Sequence, residues 1–479
     1  MAPLSALLPL ILALGASAAP SLLITPSAPT PSLAPCLTQA YHGAYGGQHV
    51  FLPSDACVAS GAAGLLASGS LVPARDGEAV VWVGPAGVQG ASGRAASDVF
   101  ADISAAAQAF LPRLLDTPQK VFSAGSGSSS PVSLLHASDG ANPALFISVP
   151  RAALPLLDTL LPPHYVPVGV APSPVALGYD VPEHYARHLA NVTKALRFRP
   201  EVATVVNSID ADAIRRDVRW LTGEAPSGIV SRHSFTEGAR VAAKWIKEKV
   251  EATGAECEYF SYLDGFSPDV LCTYPSNSTE RVILSGHYDS RGSFGSTRAP
   301  GADDDGSGTS HVLAVAEGIK QHKITFDKRV TLAFFSGEEQ GLWGSHYWAK
   351  SLAEANATVV LQIQADMLAY RVPGEPLQLG LPATIELPEA GWLVANVSAL
   401  YAPELLVGRT AACCSDHQSF ISYGFPATQV FERAGWIADP MYHNSGDLAD
   451  REGYDFEQIA SIAKVTFATV LEVAGFHTK

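Results

Sequence analysis

Beyond its first 19 residues, the chain has no apolar run approaching the roughly 20 residues that a membrane-crossing helix needs. It has no Cys-x-x-Cys pair or other sulfur cluster, which argues against a structural zinc finger. Positive charge is scarce. The 31 Lys and Arg stand against 46 Asp and Glu, and the net charge of −15 disfavours nucleic acid and anionic membrane as partners. Cysteine is scarce too, with six in 479 residues, an even number as disulfides require. The length exceeds one ordinary domain, so two are expected, and an apolar fraction of 47% suffices to build cores.

Residues 1–19 read as a signal peptide. Leu7 to Leu14 is a short apolar run, Ala16-Ser17-Ala18 is a small-residue cleavage pattern, and no Lys or Arg precedes the run. Only seven Asn occur, yet Asn191, Asn277, Asn356 and Asn396 sit in N-x-Ser/Thr sequons. Together these features predict a secreted, glycosylated protein. Spacing suggests the disulfides Cys36–Cys57 and Cys257–Cys272. Cys413 and Cys414 are adjacent, with Cα atoms about 3.8 Å apart. That is below the usual disulfide range, so either a strained bond or a pair of free thiols is expected there.

Residues 20–35 are rich in Pro, Ser, Thr and Ala, and are expected to be extended or disordered. From residue 36 to about 200, strand-like runs (Ala79 to Val83, Leu145 to Val149) and a helical run near Val99 to Leu115 are separated by Gly/Ser punctuation such as Ala124 to Ser130. No chemical motif occurs in this stretch. The region 20–205 is expected to be a small α+β accessory domain or a propeptide. From about residue 206 the texture changes. An amphipathic helix is predicted over Ser208 to Leu221, and a second opens at Thr236 with Val241, Trp245 and Val250 on one face. Strands are then expected over Arg281 to Ser285, Arg329 to Phe335, Val359 to Ile363 and Ala427 to Phe431. Helices are expected from about Ser307 to His322, around Gly391 to Leu400, and from about Phe456 to Ala474. This alternation predicts an α/β sheet covered by helices on both faces over residues 206–479. In such sheets the working residues lie just beyond the carboxyl ends of strands.

Five segments fall at such places: Ser285-Gly286-His287-Tyr288-Asp289-Ser290, Pro300 to Gly308 with the triplet Asp303-Asp304-Asp305, Phe335 to Gly341 with Glu338-Glu339, Gln364-Ala365-Asp366-Met367, and Tyr442-His443-Asn444-Ser445-Gly446-Asp447. Taken singly, each has a bland explanation. A loop histidine is usually solvated, acids at a helix start serve the cap and dipole, and paired glutamates are often surface charge. As a set they imply more. Carboxylates crowded at one sheet rim repel unless cations lie between them. Two histidines added to the acids suit zinc better than calcium or magnesium, and five ligands with one shared carboxylate suit two metals. Adjacent side chains diverge, so one of Glu338 and Glu339 can bind metal while the other takes a proton from the attacking water. Asp289, two residues beyond His287, is placed to hold that ring's other nitrogen.

These motifs, in this order, resemble the co-catalytic di-zinc aminopeptidases of metallopeptidase family twenty-eight, over roughly residues 206–479. The resemblance implies the zinc exopeptidase fold, with a mixed, mostly parallel sheet, and two Zn2+ per chain. His287 and Asp366 would hold one zinc, Glu339 and His443 the other, and Asp304 would bridge them. Glu338 would be the general base for a metal-bridging hydroxide, with Asp289 assisting. The stretch Cys414 to Phe420 resembles the family's active-site loop, with Ser415 near the reacting carbonyl; the family's second cysteine, four residues before Cys414, is Thr410 here. Met367, Phe431 and Tyr442 would line an apolar pocket for the first side chain of the substrate. The implied activity is removal of an apolar, Leu-like amino-terminal residue by a secreted, monomeric enzyme acting on peptides with a free amino end. Three alternatives are a one-zinc glutaminyl cyclase, a carboxypeptidase, and a non-catalytic binding protein on the same scaffold. The complete ligand set disfavours the first and third. The second lacks a clear cationic group for a substrate carboxylate.

Overall fold

The structure, a computed structural model, describes residues 21–478 except 28–33, 62, 76, 89–93, 115–131, 139–143, 176–180 and 413. The signal-peptide segment 1–19 and the stretch Ala124 to Ser130 lie outside the described residues. Among those described, no helix is long and apolar enough to cross a membrane. All four sequon asparagines are exposed.

The largest sheet has six strands, in the order Ala427–Val430, Thr358–Ala365, Glu280–His287, Arg329–Phe335, Asp269–Tyr274, Glu256–Phe260. The first four pair in parallel. The last two are antiparallel additions at one edge. The sheet is therefore mixed and mostly parallel, as expected. Its central strands are near-continuous apolar runs, such as Arg329–Phe335 (RVTLAFF), because helices cover both faces and leave no wet side to alternate toward. Helices Gly308–Gln321, Glu237–Glu251 and Phe456–Ala474 pack against these strands and one another, while His417–Ser422 and Pro388–Tyr401 pack against the Ala427–Val430 edge.

Local capping sets the helix starts. The Asp455 side chain accepts from the Glu457 and Gln458 amides and opens Phe456–Ala474 at the predicted residue. Thr236 likewise caps Glu237–Glu251 by accepting from Ala239 N–H. The predicted face of that second helix is wrong, however. Val241 is 36% exposed, and the buried stripe runs through Ala239, Ala242, Ala243, Ile246 and Val250. Small alanines, which carry little weight in a hydrophobicity pattern, let the helix approach the sheet. Trp245 instead stacks on Trp220 at 4.2 Å. The first of the two helices starts three residues later than predicted, at Ala211, behind an Asp210 cap.

The amino-terminal region carries two four-stranded antiparallel sheets. Ser21–Thr25, within the segment expected to be extended or disordered, is a strand of the first. The second joins Ser133–Ser138, Ala144–Pro150, Glu78–Pro85 and Tyr165–Gly169. Its alternating side chains serve two cores. Val81, Val83, Leu145 and Ile147 face the helix Ala96–Leu114 and the 3-10 helix Arg151–Leu160. Trp82, Phe146, Val166 and Val168 join a cluster with Met367, Phe431, Ile437 and Tyr442 of the larger region. Helices Glu183–Ala195 and Pro200–Val206 pack on Pro388–Tyr401 and Phe456–Ala474 respectively.

Both disulfides expected from spacing are present, Cys36–Cys57 and Cys257–Cys272. The second joins directly paired residues of the exposed edge strand Glu256–Phe260 and its neighbour. Replacing Cys257 and Cys272 together with serine opens a 15-residue loop. We expect this to lower stability by about 2–3 kcal/mol, read from urea unfolding as a fall in the midpoint.

Candidate metal centre

The parallel strands end at one rim, and that rim gathers the predicted residues. His287 is the last residue of Glu280–His287. Glu338 and Glu339 follow Arg329–Phe335 and Asp366 follows Thr358–Ala365. Asp304 lies in the Ala302–Ser307 segment that leads into Gly308–Gln321, and His443 lies in the loop beyond Ala427–Val430. Two buried groups result, His287 with Glu338 and Asp366, and Asp304 with Glu339 and His443. In each group, one ligand atom per residue lies within 4.8 Å of the others.

Asp304 faces both groups. Its Oδ1 is 3.3 Å from His287 Nε2 and its Oδ2 is 3.3 Å from His443 Nε2. His287 Nε2 is also 3.7 Å from Asp366 Oδ1 and 4.0 Å from Glu338 Oε2, and His443 Nε2 is 3.4 Å from Glu339 Oε2. The two consecutive glutamates thus serve different groups. The turn that divides them needs Gly337, which has φ 73° and where a Cβ would come within 2.5 Å of the Tyr262 hydroxyl.

Charge crowding is severe. Burial and the neighbouring acids push the Glu338 and Glu339 carboxyls well above their usual range. Burial also works against protonated His287, but Glu338, Asp289, Asp304 and Asp366 outweigh it and hold that imidazole well above its ordinary 6.5. His443 is pushed down to about 4 by burial and by the Arg291 cation. Burial would raise Asp304, but the two histidines hold it below its ordinary value. Protons here do the charge compensation that cations would do better. The donor set fits metal ions on a further observation: His287 Nε2 and Glu339 Oε1 are buried without any hydrogen-bond partner.

A layer of hydrogen bonds fixes these side chains. His287 Nδ1 lies 3.2 Å from the main-chain carbonyl of Asp289 and 3.6 Å from that residue's carboxylate, so the orienting contact is chiefly the carbonyl. The Asp289 carboxylate instead accepts from Ser234 Oγ and the Glu339 amide. Asp305 accepts from the amides of His287, Gly308 and Met367. Asp447 accepts from those of Asp303 and Asp304. His443 Nδ1 lies 2.8 Å from the Pro163 carbonyl and 2.9 Å from Arg291 Nη1. Sequence reasoning gave no role to Arg291, Asp305, Asp447 or the 161–166 segment, although Asp305 stands in the same triplet as Asp304 and Asp447 closes the same short motif as His443.

Met367, Phe431 and Tyr442 line a cleft together with Asp304, Glu338, Asp366 and His443. Ser415 is buried with its hydroxyl unpartnered, and the lining passes through Cys414 rather than Ser415. No free cysteine occurs among the described residues, and Cys414 is disulfide-bonded, which decides between the two states the sequence left open at that position. Cys413 lies outside the described residues.

Known proteins resemble this chain in sequence and fold. The sequence model of Peptidase family M28 matches residues 269–470. A probable leucine aminopeptidase of Arthroderma otae is 28% identical over 300 residues, 60% of this chain and 78% of that protein. Leucine aminopeptidase 1 of Ajellomyces capsulatus is 28% identical over 269 residues, 51% and 67% of the two chains. Among solved structures, the LapA aminopeptidase of Legionella pneumophila has the same fold with a TM-score of 0.57 at 19% identity, over 83% of this chain and 98% of its own. LapB of the same organism has a TM-score of 0.58 at 18% identity, over 83% and 100%. The motif-bearing sheet rim and the sequence match fall on the same stretch of chain, and through residues 269–470 the protein is similar to peptidase family M28.

Proposed function

We propose that the chain is a secreted, monomeric, zinc-dependent aminopeptidase that removes an apolar, Leu-like residue from the amino end of peptides, with residues 206–479 as the peptidase domain and 20–205 as an accessory region. The observation that carries the reading is the pair of three-residue groups facing one carboxylate, Asp304, in an apolar-walled cleft. His287 and Asp366 would hold one zinc, Glu339 and His443 the other, and Asp304 both. Zinc bound there would polarise the scissile carbonyl and acidify water. Glu338 stands at the same cleft without being needed as a ligand. It would take the proton of the attacking water and return it to the leaving amine. Asp289 would keep His287 in the tautomer that leaves Nε2 free for metal. The acids left around the cleft would attract a protonated amino terminus, and Met367, Phe431 and Tyr442 would receive the first side chain. Ser415 would lie near the reacting carbonyl. The leucine aminopeptidases among the relatives support this substrate class. The exposed sequons and the two disulfides support export.

Chelation is expected to abolish turnover of a Leu-arylamide, and added zinc to restore it. The same peptide acetylated at its amino end is expected to be untouched before and after. Two zinc ions per chain by elemental analysis complete the test. One tightly held zinc, with pyroglutamate formed from amino-terminal Gln, would reverse the reading in favour of a cyclase.

A further inference from the structure

The cleft wall is not built only from the M28 region. Val166, in the strand Tyr165–Gly169 of the amino-terminal sheet, lines the cleft and shares a buried cluster with Met367, Phe431 and Tyr442. Ala412 and Ile437 line the same cleft. We propose that Val166 sets the size limit for the substrate's first side chain. The inference rests on the aminopeptidase reading and extends it, because it assigns specificity to a residue outside the matched family region.

Val166 is fixed in place. On the edge strand of the four-stranded sheet, it pairs with Gly84. Just before it, the Arg291 guanidinium donates to the carbonyls of Leu161, Pro162 and Tyr165, and the Pro163 carbonyl lies against His443 Nδ1. Beside it, the Ile437 amide donates to the Gly87 carbonyl, which ties the far side of the cleft to the same sheet. A residue held from both flanks cannot swing aside for a larger side chain. Its own volume is therefore a hard boundary, and packed apolar walls discriminate by single methylenes.

The test uses the full-length zinc-loaded protein with Ala-, Leu- and Phe-arylamides. Val166→Ala is expected to raise the Phe-to-Ala ratio of kcat/KM about tenfold, chiefly through a lower KM for Phe. Val166→Phe is expected to lower the Leu-to-Ala ratio by about as much. Zinc content and melting temperature verify that each variant is folded and loaded, and Val166→Ile, one methylene larger, carries the test if either fails to fold. Ratios within twofold of wild type in folded, active variants would overturn the assignment of Val166 alone. A wild-type protein that turns over none of the three would sink the aminopeptidase reading and this inference with it.

Discussion

Glu338→Gln should lose about 10³-fold in kcat on a Leu-arylamide while keeping two zinc ions and its melting temperature. The substitution keeps the shape of the side chain and removes only its ability to take and return a proton. General-base catalysis contributes roughly 10²–10⁴-fold, and the mid-range loss corresponds to about 4 kcal/mol of barrier. Glu338 is flanked by His287, Asp366, Asp416 and Asp304 and sits in the cleft itself. Stopped kinetics with a full zinc complement would separate the base from a ligand: loss of metal would make Glu338 a ligand, and retention of more than a tenth of the activity would remove it from the mechanism. Glu339→Gln, one residue on, should instead lower the zinc content.

Removing the metal should cost more stability the higher the pH. In the chelated protein, Glu338 and Glu339 have folded pKa values raised above their unfolded ones. The contribution of such a group is intact below about pH 4.5 and is lost as the pH rises toward the raised value. His287, also raised, contributes below its ordinary 6.5 and loses that contribution as the pH climbs through the folded value. His443 works the other way, because its folded value falls to about 4, but its penalty has gone by about pH 6.5. From pH 6.5 to 8 the sign is therefore uniform, and the chelated protein weakens as pH rises. Zinc binding requires deprotonated ligands and strengthens over the same range. The gap in melting temperature between loaded and chelated protein should widen from pH 6.5 to pH 8. Each ion contributes about 4 kcal/mol when present at a thousandfold over its Kd. Paired calorimetric scans would check this, and a gap that narrows with pH would contradict the grouping of these side chains around cations.

Much of the peptidase region was legible because its signals are local. Strands such as Arg329–Phe335 are uniform apolar runs, and each candidate ligand stands within a few residues of a strand end or helix start. Parallel pairing then brings those ends to one rim, so side chains more than 150 residues apart, such as His287 and His443, could be grouped without knowing the fold in detail. What stayed hidden depends on main-chain groups and distant partners. The carbonyl of Pro163 against His443 leaves no side-chain pattern, and neither do the amides that Asp305 and Asp447 hold. The helix face of Glu237–Glu251 was misassigned because alanine is weak evidence for burial. The amino-terminal sheet did carry a readable sign. The runs AVVWV and ALFISV do not alternate with polar residues, and a sheet with no polar side must be covered twice. Its second cover is the cleft.

Helices Glu183–Ala195 and Pro200–Val206 have a practical meaning for anyone dissecting the gene. They sit upstream of the first motif, yet Leu189, Val202, Val205 and Val206 are buried in the same core as the Phe456–Ala474 helix. A recombinant fragment opened at codon 206 would bare that greasy seam and invite clumping. A catalytic fragment meant to stay in solution has to keep residues 183–206 and, further upstream, the Trp82, Phe146 and Val166 face that covers Met367, Phe431 and Tyr442.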